Sequence, residues 1–387
     1  MKNKLSIFIK KLTNSDKRLS IFITISFQLL MTIIGFLIES KYSSSATLLS
    51  HTMKWDAGWY IAVINDHYLN VAASPAFYPL FPLMVGVIHF ISFGLLDFAF
   101  SGLIINTVAL YFIVLAFLKI SNIYLPDNKR YLPVILFLSF PSAFFLHAFY
   151  TESVFMALGM WAYLYSLNRK WLKMALLLAL LSATRLPSIL YIGLCFLEYL
   201  RSYKWSIKNA VNPNILYFLI SILGFITYGL YLLIVRGDFL LMFHAYGLTT
   251  DWSYQIFDPN VFKTWAKVGF QIIRSLLGFR DFNGDIVVNH LIPLLSIAGL
   301  LISSAILIKK GNTRNLGLIG IIASIFFSLN GNLVSVHRYV LTLPILFIAI
   351  PILMNKLNKT ILFIITCLFI SAQFYLYYKF IFLIFAG

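Results

Sequence analysis

FYPLFPLMVGVIHFISFGL, residues 77–95, is an almost unbroken apolar run, and whether it crosses a bilayer sets the side of every later loop. It is long enough, since ~20 helical residues span ~30 Å of hydrocarbon. The charges around it argue that it does not cross. Suppose Lys2, Lys4, Lys10, Lys11, Lys17 and Arg18 are cytoplasmic and 77–95 stays on the outer side. Then 20 of the 30 Lys and Arg fall inside and 10 outside, with the later inside cations grouped at 119–130, 169–173, 201–208, 309–314 and 356–359. If 77–95 crosses, the split becomes 14 inside to 16 outside. Cytoplasmic loops carry the excess of Lys and Arg, so the first arrangement is preferred. Pro79 and Pro82 also suit a bent helix lying along the membrane surface. Ten of the 13 acidic residues then fall outside, although acids weigh little in this rule.

The rest of the chain follows from that choice. Hydrophobic residues make up 60% and charged residues 11%, against about 25% charged in a soluble domain. The apolar blocks predict eleven spans, at 19–38, 99–118, 132–149, 153–168, 171–186, 188–200, 215–235, 291–308, 316–330, 339–354 and 360–381. The expected fold is all-α: residues 1–387 form a single polytopic transmembrane helical bundle with no soluble domain. Segment 39–98 is the first outer loop with juxtamembrane helices, and 236–290 the second large outer segment. Within the latter, VFKTWAKVGFQIIRSLLGF (261–279) reads as an interfacial helix. The net charge of +17 is assigned to cytoplasmic loops facing anionic membrane lipids, with no nucleic-acid partner. Cys195 and Cys367 sit in apolar blocks and give no disulfide or metal framework. The first block follows a basic start but precedes Ile38-Glu39-Ser40-Lys41-Tyr42, which offers no small-residue cleavage site, so it reads as an uncleaved anchor. The Lys, Asn, Ile and Phe usage suits an AT-rich genome and a prokaryotic plasma membrane.

Chemistry is sparse and concentrated. Lys54-Trp55-Asp56-Ala57-Gly58-Trp59-Tyr60 places a carboxylate among aromatic rings in the first outer loop. One reading is an aromatic belt anchor with a solvated or capping aspartate. The other is a general base beside rings that stack a sugar. Glu152, Arg185 and Arg338 lie near the outer ends of expected spans, where charged groups usually face a cavity or a partner. Glu152 pairing with Arg185 is one reading, with the arginines reaching to headgroups. Two guanidiniums gripping a phosphate is the other. His51, His67, His89, His147, His244 and His290 lack metal-ligand spacing, and Asp66-His67 reads as a turn. Nucleotide-binding, zinc-protease and serine-hydrolase motifs are absent from the sequence.

Six segments resemble, in order, the PIG-V-like mannosyltransferases of the GT-C glycosyltransferase superfamily. They are Trp55-Asp56-Ala57-Gly58-Trp59-Tyr60-Ile61-Ala62, Phe77-Tyr78-Pro79-Leu80-Phe81-Pro82-Leu83, Tyr150-Thr151-Glu152-Ser153, Ser182-Ala183-Thr184-Arg185, Arg236-Gly237-Asp238-Phe239-Leu240 and His337-Arg338-Tyr339. The chain departs from the family at His67-Tyr68, where a Gly-Tyr pair is usual. The resemblance implies a polyprenyl- or dolichyl-phosphate sugar donor and an outer-face active site with Asp56 as the catalytic aspartate. Mannose is the sugar in that family, and the expected reaction is an inverting transfer of a hexose to a glycolipid, polysaccharide or protein hydroxyl. Trp55, Trp59, Tyr60, Tyr78, Tyr150, Glu152, Arg185, His337 and Arg338 form the expected substrate-binding set. A divalent metal assists some members of the superfamily, but no ligand cluster is legible here and no metal residue is assigned. Two rivals stand beside this reading. A lipid or lipid-linked-sugar flippase would show paired interrupted repeats, and a non-catalytic subunit would keep the fold without turnover.

Overall fold

The computed structural model describes residues 15–247, 258–279, 281, 283–354 and 359–384. The lysines at 2–11, Arg280, Lys356 and part of the 236–290 segment lie outside the described residues. Among the described residues the regular structure is all helical, with no strand.

Helix α1, Asp16–Ser40, is inside-out by the standards of a soluble protein. Ile21, Phe22, Ile25, Leu29, Leu30, Ile33 and Leu37 are exposed, whereas Ser20, Thr24, Gln28, Gly35 and Glu39 are buried. Lipid tails reward apolar outward faces, and small or polar residues hold helices together inside. The pattern is compatible with a membrane protein. Among the described residues four helices are long and apolar enough to cross: Asp16–Ser40, Phe98–Tyr124 (α4), Gly284–Ile308 and Lys359–Ile381 (α16). The pair Pro213–Ser221 and Leu223–Arg236 (α10) makes a fifth if its 44° bend is one broken span.

Other expected spans are shorter or broken, and prolines explain two of them. Block 132–149 is α-helical only over Leu132–Ser139 (α5), with a 3-10 helix at Ala143–Leu146, because Phe140 precedes Pro141 and leaves the helical region (ψ 144°). A residue before proline is pushed out of the helical region. Block 339–354 splits into Val336–Leu341 (α14) and Ile345–Leu353 (α15), with Pro344 at the break. Glu152–Leu167 (α6), Trp171–Ser182 (α7) and Ser188–Ser202 (α8) have 16, 12 and 15 residues. The decisive stretch 77–95 forms Leu80–Ile91 (α3), whose 12 residues reach ~18 Å, well short of the hydrocarbon thickness. Leu83, Val87, Phe90 and Ile91 on it are exposed. Val261–Leu276 (α11) is amphipathic, burying Val261, Thr264, Val268, Ile272 and Ser275 along one stripe.

α4 is the central post, packed between α1 and α6, with α6 against α7 and α8. α1 also packs on α16. Charged and hydroxyl groups collect at two opposite ends. At one, Arg130 pairs with Asp16, Tyr124 and Tyr163 share a 2.6 Å hydroxyl contact, and Arg201 donates to Asn312 O. At the other, Lys54 meets Glu39 at 2.6 Å beside Asp56, Glu152, Arg185 and Arg338. α1 runs from Asp16 to Glu39 and α6 from Glu152 to Tyr163, so a helix length separates the two groups.

Candidate functional site

The site begins with a backbone turn. Trp55 has φ 53°, a left-handed conformation that is costly for a bulky residue. It turns the chain so that Asp56 stands at the start of Ala57–Asp66 (α2). The Tyr150 hydroxyl closes the turn. It accepts from the Asp56 N–H at 3.0 Å and donates to the Lys54 carbonyl at 3.2 Å. Next to it, the Phe149 N–H donates to the Thr52 carbonyl at 3.1 Å.

The side chains then assemble around Glu152, the first residue of α6. Its Oε1 accepts from Arg185 Nη1 at 2.6 Å and from Arg338 Nε. Arg338 Nη1 also donates to Asp56 Oδ2 at 2.8 Å. The Arg338 guanidinium lies over Tyr150 and Phe145, at 4.6 and 5.0 Å from the ring centres, and Arg185 lies 4.9 Å over Tyr339. Two carboxylates and two guanidiniums from four parts of the chain thus form one network. The carboxylates differ in access: the Glu152 side chain is 0% exposed and that of Asp56 28%. Glu152 Oε2 is buried without a hydrogen-bond partner. Among the described residues Arg185 meets a carboxylate through Nη1 alone, and its Nε–H and Nη2–H are further donors on one edge of the guanidinium.

Arg185 is placed by the loop after α7. Leu80 N–H, in the Phe77-Tyr78-Pro79-Leu80 segment, donates to Ala183 O at 3.0 Å, tying the second motif to the arginine's turn. On the other side α10 approaches closely at Gly224, where a Cβ would stand 2.1 Å from Ala179 O and 2.6 Å from Ser182 Oγ.

The aromatic residues sort into two groups. Tyr60 is buried, edge-on to Tyr150, Phe149, Phe77 and Phe81, and burial pushes its phenol well above the ordinary range. Trp59 stacks on Phe77 at 5.7 Å, and Trp55 is 39% exposed. Tyr78 goes elsewhere. It packs against Tyr228 and Phe225 in a separate cluster with Val63 and Tyr68, and its buried hydroxyl has no hydrogen-bond partner. His337 is buried, and its carbonyl accepts from Ser142 Oγ at 2.9 Å.

Asp66 is a turn residue. It accepts from Asn70 N and Val71 N at 2.8 and 3.0 Å, and the Val71 N–H above all holds its carboxyl below the usual range. The Arg236-Gly237-Asp238 motif makes other contacts: Arg236 donates to Tyr68 O across 168 residues of chain, and Asp238 pairs locally with His244 at 2.6 Å. Sequence reading missed Lys54–Glu39, the rings of Phe145 and Tyr339 beneath the guanidiniums, and a buried Gln28–His147–His51 chain. None has a local signal, because the partners are 15 to 119 residues apart or meet only through tertiary packing. Among the described residues no group of three or more His, Cys, Asp or Glu could share a metal ion. No protein-family model and no curated protein matches the chain.

Proposed function

We propose that the chain is an integral membrane glycosyltransferase of GT-C type, working on the outer face with the N-terminus inside. It takes a hexose, mannose by the family resemblance, from a polyprenyl-phosphate donor. The observation that carries this reading is the access difference within one charge network: Asp56 is the carboxylate that substrate can reach, and Glu152 is sealed between two guanidiniums. In the reaction the acceptor oxygen forms a bond to the anomeric carbon as the bond from that carbon to the phosphate oxygen breaks. The polyprenyl phosphate leaves with the electron pair, and Asp56 takes the acceptor proton. Arg338 orients Asp56 through Nη1 and is anchored by Glu152 through Nε. The phosphate role therefore falls mainly on Arg185, whose Nε and Nη2 can grip oxygen in parallel. Trp55, partly exposed beside Asp56, offers a face for a sugar ring.

Purified protein is incubated with a panel of polyprenyl-phosphate sugars and native membrane lipids, and products are read by mass spectrometry. Wild type transfers one hexose. Asp56→Asn loses ~10²-fold or more in rate, the scale of general-base catalysis, while remaining folded. Wild-type turnover in Asp56→Asn would sink the assignment. Two guanidiniums neutralising two carboxylates is also the form of a structural network. Donor binding without turnover in wild type marks that case.

A further inference from the structure

Beneath the Asp56 loop lies a chain of three buried polar side chains that the proposed transfer does not use. His51 Nε2 stands 3.1 Å from His147 Nε2, and His147 Nδ1 stands 2.5 Å from Gln28 Oε1. Gln28 Nε2 donates to the Leu146 carbonyl at 3.3 Å, which fixes the amide orientation. Hydrogen-bond logic then assigns every proton. Gln28 Oε1 can only accept, so His147 carries its hydrogen on Nδ1 and its Nε2 is bare. His51 must therefore donate from Nε2, leaving its Nδ1 bare. That Nδ1 is buried and has no hydrogen-bond partner. Both rings are neutral, and one proton lies between them.

A second proton has no place. On His147 Nε2 it would set N–H against N–H. On His51 Nδ1 it would create a buried cationic N–H with no acceptor. The other groups facing His51 are Glu39 of α1, Lys54 of the loop and Tyr377 of α16. Glu39 favours the charged ring and Lys54 opposes it, and these two are paired with each other at 2.6 Å. Burial outweighs both and lowers the His51 pKa from 6.5 to about 4. The first span is shaped to receive the ring: at Gly35 a Cβ would lie 2.3 Å from His51 Cδ2.

We propose that Gln28, His147 and His51 form a one-proton latch that fixes the loop carrying Asp56, and that a second proton releases it. The three are positioning residues, and their link to catalysis rests on the reading of Asp56 given above. The sequence distance is short: His51 holds the loop, Thr52 O meets Phe149 N–H, and Tyr150 clamps Lys54 and Asp56. The sign of the pH dependence follows. Above pH 6.5 the ring is neutral latched or released, and the latch is at full strength. Between 6.5 and about 4 the released form takes up the proton and the latched form does not. Release therefore becomes about tenfold easier per pH unit, levelling off below.

The test uses hydrogen exchange of the full-length protein in detergent, following the peptide over residues 47–56 from pH 7 to 4 and correcting for intrinsic rates. Wild type loses protection in that peptide as pH falls, with helical circular dichroism unchanged. His51→Gln keeps an N–H donor toward His147 but cannot titrate, so its protection stays flat. His51→Asn, which likewise cannot titrate at this position, serves as the second variant, again with a flat profile, should His51→Gln misfold. A wild-type loop that stays protected down to pH 4, or a variant that opens as wild type does, overturns the latch. Transfer assays on the same samples add an independent arm. The acid limb of the rate profile should move with the exchange transition, and an acid limb unmoved by His51→Gln overturns the positioning role. Absence of any transfer at pH 7 with the exchange transition intact refutes the glycosyltransferase reading and leaves the latch standing.

Discussion

Replacing Glu152 with Gln would leave the Arg185 and Arg338 guanidiniums buried beside a neutral amide. Breaking a buried charge cluster from one side costs ~3–5 kcal/mol, and thermal unfolding in detergent should register a loss on that scale. Asp56→Asn should behave differently. Its side chain is 28% exposed, so solvent takes up part of the lost interaction, and stability should fall by no more than ~1 kcal/mol. A stability loss in Asp56→Asn equal to that in Glu152→Gln would contradict the division of roles between the two carboxylates. Tyr150→Phe removes the hydroxyl that joins the Asp56 N–H to the Lys54 carbonyl. The half-buried Asp56 N–H loses its partner while the Lys54 carbonyl keeps the Ala57 N–H, at ~1 kcal/mol in total. The predicted kinetic effect is a lower kcat with KM little changed, because Tyr150 touches the backbone of the proposed base. At this scale the sequence was partly legible. Aromatic residues around Asp56 mark it as unusual, and arginines at span ends call for partners. The Glu152–Arg185 pair was among the readings and forms at 2.6 Å, but the Arg338–Asp56 pair was not, since its partners meet across 282 residues of chain.

Helices bring those distant residues together, and their close approaches are exacting. Gly224 lets α10 lie against the end of α7, where Ser182 leads into the Arg185 turn. Gly224→Ala puts a methyl 2.1 Å from a backbone oxygen, which cannot rotate away, so the helices must part. Overpacking of this kind costs ~1–3 kcal/mol and should also displace Arg185, weakening donor binding in an equilibrium assay. The same substitution at Gly58, where a Cβ meets nothing within 4 Å, is the control and should leave both quantities unchanged. Element types were readable from apolar periodicity, but lengths were not. Phe140-Pro141 and Leu343-Pro344 interrupt two blocks that hydropathy alone joins. Hydropathy sums side-chain transfer energies and is blind to the backbone clash that proline imposes on its predecessor.

For the molecule as a whole, the split of cations between its two ends predicts an orientation. Single cysteines at position 45, between α1 and α2, should react with a membrane-impermeant maleimide added from outside intact cells. Cysteines at position 204, after α8, should react only after permeabilisation. The reverse pattern would overturn the N-in arrangement and with it the outer-face reading of Asp56. The contact of Glu152 with both arginines has a further consequence, for synthesis. Chains emerge from the ribosome at ~5–20 residues per second. Arg185 follows Glu152 by 33 residues, so the first neutralising partner arrives within ~2–7 s. Arg338 follows by 186 residues, a wait of ~9–37 s. Through that interval the newborn bundle holds a carboxylate with one cation where the finished protein has two, and Asp56 has none. Nascent chains stalled before residue 338 should therefore be the ones that membrane quality-control proteases remove, with Arg338 as the signature of completion.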